Sequence, residues 1–116
     1  MLDLDRFRRF NDNYGHQAGD RLLKQAAGHW SEQLRATDVL ARYGGEEFAL
    51  ALPGGSAATD AALVERLCGV TPKGQTCSAG MARWDREESP AVLVGRADGA
   101  LYEAKRAGRY RLVAIA

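Results

Sequence analysis

Two adjacent carboxylates, Glu46 and Glu47, follow a Gly44-Gly45 pair, and two more, Asp3 and Asp5, alternate with leucines where the chain begins. Carboxylates can hold a hard divalent cation or take a proton from a hydroxyl. Glycines, which carry no Cβ, let a ligand pack against bare backbone. Met1–Asp5 runs straight into a helical stretch, Arg6–Tyr14. The free N–H groups of a helix start attract an anion, and a neighbouring carboxylate can hold the metal that accompanies it. Phosphate together with Mg²⁺ is therefore the chemistry predicted for Asp3 through Phe7. Plainer readings also fit: two acidic residues at a strand end, and a surface hairpin kept soluble by two glutamates.

The elements that must position these groups follow from periodicity. Leu2 and Leu4 alternating with Asp3 and Asp5 predict a strand with one polar face. Phe7 and Phe10 mark a short helix, and Asn13–His16 a turn. Ala18–Leu34 is predicted as a helix with Leu22, Leu23, Ala26, Ala27, Trp30 and Leu34 on one stripe. Asp20 falls in its first turn, where the helix dipole alone would account for a carboxylate. Val39–Tyr43 and Phe48–Leu52 read as strands of a hairpin closed by Gly44-Gly45. Asp60–Cys68 reads as a helix capped by Thr59, and Thr76–Trp84 as a strand whose Gly80 marks a bulge or a close backbone approach. Ser89-Pro90 starts a helix that Gly108 ends, with Lys105 and Arg109 flanking the stop, and Tyr110–Ile115 closes as a strand. The predicted order is β-α-α-β-β-α-β-α-β. Its class is α+β, with a mostly antiparallel sheet flanked by helices and the hairpin at one edge.

Bulk properties narrow the function. A chain of 116 residues is one domain, and a net charge of +1 gives no general attraction to nucleic acid or membrane. No apolar run is long enough to span a bilayer, and no secretory pattern opens the sequence. Cys68 and Cys77 lack metal-type spacing; reduced thiols in a cytoplasmic protein fit, and a disulfide is the other possibility. Arg35 and Asp38, three apart in a connector, could pair with each other, or Arg35 could hold a phosphate or a guanine edge.

Five collinear patterns go further. They are Asp3-x-Asp5-x-Phe7-Arg8-x-x-Asn11-Asp12, Gly15-His16-x-x-Gly19-Asp20, Arg35-x-x-Asp38, Arg42-x-Gly44-Gly45-Glu46-Glu47-Phe48, and Ala97-Asp98-x-Ala100-Leu101-Tyr102-x-Ala104-Lys105-x-x-Gly108-Arg109. Together they resemble the GGDEF family of diguanylate cyclases over nearly the whole chain. The resemblance implies a fold like the palm of nucleotidyl cyclases and polymerases, with a ferredoxin-like core. It implies condensation of two GTP into cyclic di-GMP and two pyrophosphates, with Mg²⁺ or Mn²⁺. By position, Asp3, Glu46 and the Leu4 carbonyl correspond to metal ligands, Glu46 also to the proton acceptor, and Glu47 to the second acidic residue needed for activity. Phe7, Arg8, Gly44 and Gly45 fall among the substrate-binding positions, Asn11 and Asp20 read guanine, His16 contacts the nucleotide, and Lys105 and Arg109 contact the triphosphate. Arg35 and Asp38 correspond to an inhibitory site for the product.

Elementary chemistry agrees with that scheme. A triphosphate needs its charge neutralised before an oxyanion can approach, and guanine offers N–H donors that a carboxylate accepts. The product has two-fold symmetry and each domain would hold one nucleotide, so a homodimer is implied. The resemblance has departures. The family's usual opening helix and longer first strand have no counterpart, so residues 1–116 are expected to form a single catalytic domain truncated at its N-terminus, with one sheet face less covered. Arg8 stands where Lys is common, Tyr110 replaces Asn after Gly-Arg, and Pro53–Thr76 is short. The alternative function is a catalytically inactive module that binds GTP or cyclic di-GMP.

Overall fold

Alternation of apolar and acidic residues makes Leu2–Leu4 the strand β1 at the centre of a five-stranded sheet. The computed structural model describes residues 1–115. The element order is β1 (Leu2–Leu4), α1 (Phe7–Tyr14), α2 (His16–Glu32), β2 (Val39–Gly44), β3 (Glu47–Ala51), α3 (Ala57–Gly69), β4 (Cys77–Ala82), α4 (Pro90–Arg106) and β5 (Leu112–Ile115). The strands lie in the order β2-β3-β1-β4-β5, so the hairpin is at an edge as predicted. Every neighbouring pair is antiparallel except β4 with β5, which the α4 crossover makes parallel.

The two faces of the sheet differ in chemistry. Leu2 and Leu4, with Phe48, Cys77 and Ala79, join Leu22, Leu23, Ala26 and Trp30 of α2 and Leu63, Val64, Leu67 and Cys68 of α3 in one apolar core. Trp30 is fully buried, stacks edge-on against Phe48 with centroids 5.1 Å apart, and donates its indole N–H to the Leu67 carbonyl at 3.0 Å. Burying that ring contributes about 2–3 kcal/mol, and the pairing with Phe48 roughly 0.5–1.5 more. Cys68 and Cys77 are buried free thiols with their sulfurs 3.0 Å apart.

The opposite face carries the polar side of β1, and the protein interior covers it: Asp3 and Asp5 are each only 5% exposed. Helix α4 packs there, and it approaches β4 at Gly80. A Cβ on Gly80 would lie 2.1 Å from Leu101 N and 2.2 Å from Ala97 O. Of the two roles the sequence left open for this glycine, close backbone approach is the one observed.

Several boundaries differ from expectation: β4 is shorter at both ends, α2 ends at Glu32, and β5 starts at Leu112 because Tyr110 lies in a turn. Helix α2 starts at His16, because Gly15 (φ 90°) ends α1 by donating to the Asn11 carbonyl and opens α2 with no spacer. Asp20 consequently lies beyond the first turn, and the dipole no longer accounts for it. Helix α3 starts three residues early, capped by Ser56, whose Oγ accepts the Thr59 N–H at 3.1 Å; Thr59 is not the cap. The hairpin turn is Gly45-Glu46 instead of Gly44-Gly45. Only Gly45 has positive φ (46°), and the ladder shifts register between Arg42 and Gly44.

Candidate active site

Register places the first acidic group. Asp3 of β1 stands directly opposite Glu47 of β3, and the Leu4 N–H points at the Glu46 carbonyl, 3.4 Å away. Asp3, Leu4, Glu46 and Glu47 therefore meet at the hairpin end of the central strands. From α4, Lys105 Nζ donates to Asp3 Oδ2. Asp3 Oδ1 is buried with no hydrogen-bond partner. Burial raises the pKa of Asp3, with the charges of Glu46 and Asp5 adding to it and Lys105 opposing. Glu47 is pushed up to about 7, first by burial, then by the neighbouring Asp98 carboxyl of α4 and the charge of Asp3, against the pull of Lys105.

A buried carboxylate oxygen without a donor, flanked by further carboxylates and a backbone oxygen, is a donor set suited to a hard divalent cation. Among the described residues no three His, Cys, Asp or Glu side chains cluster tightly enough to hold a metal unaided. Two carboxylates and a carbonyl leave coordination positions for phosphate oxygens, the usual arrangement for Mg²⁺.

Helices α1 and α2 carry a second group. Phe7 and Asn11 both lean on Gly19 of α2: a Cβ there would fall 1.7 Å from Asn11 Oδ1 and 3.2 Å from Phe7 Cζ. Asn11 Oδ1 is buried and has no partner, and Asp20 follows Gly19 on the exposed side. Arg8 and His16 are exposed, and neither side chain has a hydrogen bond or ion pair among the described residues. Gly44 and Gly45 are exposed at the hairpin end with nothing within 4 Å of a built Cβ, which is space a ligand could use.

Beyond α4 the chain turns sharply. Gly108, Arg109 and Tyr110 have φ of 120°, 66° and 47°. The Arg109 N–H donates to the Ala104 carbonyl at 3.0 Å and the Tyr110 N–H to Asp5 Oδ2 at 3.1 Å. Asp5 also accepts from Thr76 Oγ1 (2.6 Å) and Ser78 Oγ (2.5 Å).

Arg35 and Asp38 form a separate site at the other end of β2, a strand of six residues, so roughly 20 Å from the Gly-Glu turn. Arg35 Nε donates to Asp38 Oδ2 at 3.0 Å and the Arg35 N–H to the same oxygen at 2.8 Å. Burial works against the Asp38 charge, but these bonds outweigh it and hold its pKa below the usual range. Arg35 Nη2 also reaches Asp60 Oδ1 at 3.0 Å. The pairing of Arg35 with Asp38, one of the two sequence alternatives, is present, and Asp60 extends it.

From sequence, Gly19, Asp60 and Asp98 carry no assigned role, and Asp5 enters only beside Asp3 as a carboxylate able to hold a cation. Gly19 and Asp98 sat inside quoted motifs, and Asp5 shares the period of Asp3, so those three were within reach. Asp60 carried no such signal, because it meets Arg35 only through the fold.

Comparison with known proteins places the sequence and the fold. The family model "Diguanylate cyclase, GGDEF domain" matches residues 1–111. Diguanylate cyclase DgcP of Pseudomonas aeruginosa is 46% identical over 122 residues, covering 97% of this chain and 18% of that protein. Diguanylate cyclase VdcA of Vibrio cholerae is 37% identical, covering 99% of this chain and 38% of that protein. The chain thus spans well under half the length of these relatives. The GGDEF domain of DgcB from Caulobacter crescentus, solved in complex with c-di-GMP, superposes with a TM-score of 0.90 at 35% identity, covering 97% of this chain and 74% of that one. The active GGEEF domain of a diguanylate cyclase from Vibrio cholerae gives 0.88 at 29% identity, covering 97% and 78%. The five-stranded sheet with flanking helices is the palm-like fold of those domains. With the motifs in order, the carboxylates gathered at the hairpin and the family model matched from residue 1 to residue 111, this chain belongs to the GGDEF diguanylate cyclase family.

Proposed function

We propose that this chain is a diguanylate cyclase domain that joins two GTP molecules into cyclic di-GMP, two copies of the domain facing each other with one nucleotide each. The observation that carries this reading is the buried, unpartnered oxygen of Asp3 beside Glu46 and Glu47, with Lys105 as its counter-charge. Asp3, Glu46 and the Leu4 carbonyl would hold a divalent cation, Mg²⁺ or Mn²⁺. When bound, that ion neutralises triphosphate charge and polarises the phosphoryl oxygens.

The chain's own residues account for the rest. Glu46 accepts the proton of the 3′-hydroxyl of one GTP as that oxygen bonds to the α-phosphorus of the other. The bond from that phosphorus to the pyrophosphate oxygen breaks, and the same exchange in the opposite sense closes the ring. Glu47 holds a second carboxyl beside Glu46 and across from Asp3. Lys105 and Arg109, with Arg8, supply positive charge to the triphosphate. Guanine has N–H donors at N1 and N2; the free Asn11 oxygen and the Asp20 carboxylate supply acceptors, with His16 nearby at the start of α2. Phe7 backs the base against Gly19, while Gly44 and Gly45 leave room for base and sugar. Arg35 and Asp38, with Asp60, form the site at which product inhibits; the DgcB domain of the same fold was solved with c-di-GMP.

Incubation with GTP and Mg²⁺, with pyrophosphate and cyclic di-GMP quantified, tests the proposal. Glu46→Gln should lower the rate by about 10²–10⁴, the usual contribution of a general base. Absence of turnover even with dimerisation enforced by a fused coiled coil would refute the activity for this chain. Micromolar binding of cyclic di-GMP without synthesis would instead establish the receptor reading. Among the described residues no helix is long and apolar enough to cross a membrane.

A further inference from the structure

Asp5 shares a strand face with Asp3 and looks, by spacing, like a second ligand of the same kind. Its bonding is different. Asp3 keeps one buried oxygen free, whereas both oxygens of Asp5 are engaged, Oδ1 by Ser78 Oγ and Oδ2 by Thr76 Oγ1 and the Tyr110 N–H. A carboxylate that accepts three hydrogen bonds, and is only 5% exposed, is committed to the protein's own donors.

The Thr76 and Ser78 bonds join β1 to β4, strands already paired through their backbones. The bond to Tyr110 reaches a segment 105 residues away. That segment is a left-handed turn in which two consecutive residues other than glycine, Arg109 and Tyr110, have positive φ. Such a conformation is strained and persists where outside contacts hold it. Here the N–H of Arg109 is tied to α4 and that of Tyr110 to Asp5. Among the described residues, the Arg109 guanidinium itself has no hydrogen-bonded or ionic partner, so its direction depends on the turn.

We propose that Asp5 is a positioning residue for nucleotide binding: it fixes the turn at Arg109–Tyr110 and thereby presents the Arg109 guanidinium to the triphosphate. This rests on the reading of Arg109 as a triphosphate contact.

The test uses 3′-deoxy-GTP, which lacks the attacking hydroxyl, with Mg²⁺ in calorimetry on the wild type, Asp5→Asn, Arg109→Ala and the double variant. Asp5→Asn keeps the shape but replaces one acceptor oxygen by an N–H₂ group. It should weaken binding about tenfold, as loss of a charge-assisted hydrogen bond does, and add nothing once Arg109 is gone. Binding equal to wild type, or the same loss in the presence and absence of Arg109, would overturn the proposal, since a general structural role predicts the latter. Should Asp5→Asn fail to fold, Ser78→Ala and Thr76→Val each remove one donor to Asp5; a smaller loss that vanishes with Arg109→Ala supports the same conclusion, and no loss, or one that persists without Arg109, overturns it. A wild type that binds no nucleotide overturns the reading of the whole site, and this proposal with it, before any variant is compared.

Discussion

Lys105 and Asp3 are joined by a hydrogen-bonded ion pair spanning 102 residues of sequence, and the pair leaves the other Asp3 oxygen buried and unpartnered. Burial raises the pKa of that carboxylate, and the lysine opposes the rise. Lys105→Met should therefore destabilise the nucleotide-free protein by about 1–3 kcal/mol, below the full cost of breaking a buried pair because the lysine side chain remains 34% exposed. Asp3→Asn should cost less, since it removes the charge that needs compensation. Urea unfolding of both single variants and the double should give a coupling that makes the double milder than the sum.

Glu47 sets a pH dependence. Its pKa rises from the ordinary 4.5 to about 7, and that of Asp3 also rises. A raised carboxyl binds its proton more tightly when folded, so its stabilising contribution is complete below the unfolded value and is lost as pH climbs to the folded one. In chelator, the melting temperature should fall between about pH 4.5 and 7. Glu47→Gln should flatten most of that slope. A melting temperature that rises over the same interval in chelator would refute the assignment.

Much of this site was legible because its residues lie in short local patterns. Asp3, Glu46, Glu47 and Lys105 could be named from spacing and resemblance; pairing of β1 with β3 gathers the carboxylates, and α4 brings the lysine. What remained hidden needed tertiary information. Asp98 faces Glu47 only because α4 crosses over β4, and Asp60 reaches Arg35 only because α3 begins at Ala57, capped by Ser56. Alternation showed that β1 has one polar face, but it reports that the two faces differ without saying which is covered. Helix boundaries failed where a glycine served two helices at once, at Gly15, and where two hydroxyl residues, Ser56 and Thr59, competed for one cap.

Gly19 separates binding from stability. Gly19→Ala gains about 1 kcal/mol of helix propensity, and the atoms it meets first belong to the movable Asn11 carboxamide. Stability should stay within about 1 kcal/mol of wild type, while displacement of Asn11 weakens guanine nucleotide binding about tenfold. Thermal melts alongside calorimetry with GTP and with ATP distinguish the effects: the loss should be confined to GTP.

Arg35 couples two carboxylates, Asp38 and the buried Asp60. If this cluster receives cyclic di-GMP, Arg35→Ala should raise the product concentration for half-inhibition at least tenfold, as expected for a lost bidentate contact. Asp60→Asn, which frees one guanidinium nitrogen, should shift the same constant by a smaller factor. Initial rates measured against added product read both, and inhibition unchanged in Arg35→Ala would place the product elsewhere.

Gly80 tests the contact on which the covered polar face depends. Unlike Gly19, it faces backbone: Leu101 N, Ala97 O and Ala100 C all lie within 2.7 Å of a built Cβ. None of these atoms can swing aside, so α4 would have to lift from β4. Gly80→Ala should cost about 3 kcal/mol or more, the upper range for overpacking. Because α4 carries both Lys105 and Asp98, the same displacement should loosen their hold on Asp3 and Glu47. Urea denaturation and the pH profile of melting, compared between Gly80→Ala and wild type, would show a lower midpoint together with a shallower slope between about pH 4.5 and 7. A stable variant with an unaltered slope would mean that α4 does not rest on this glycine.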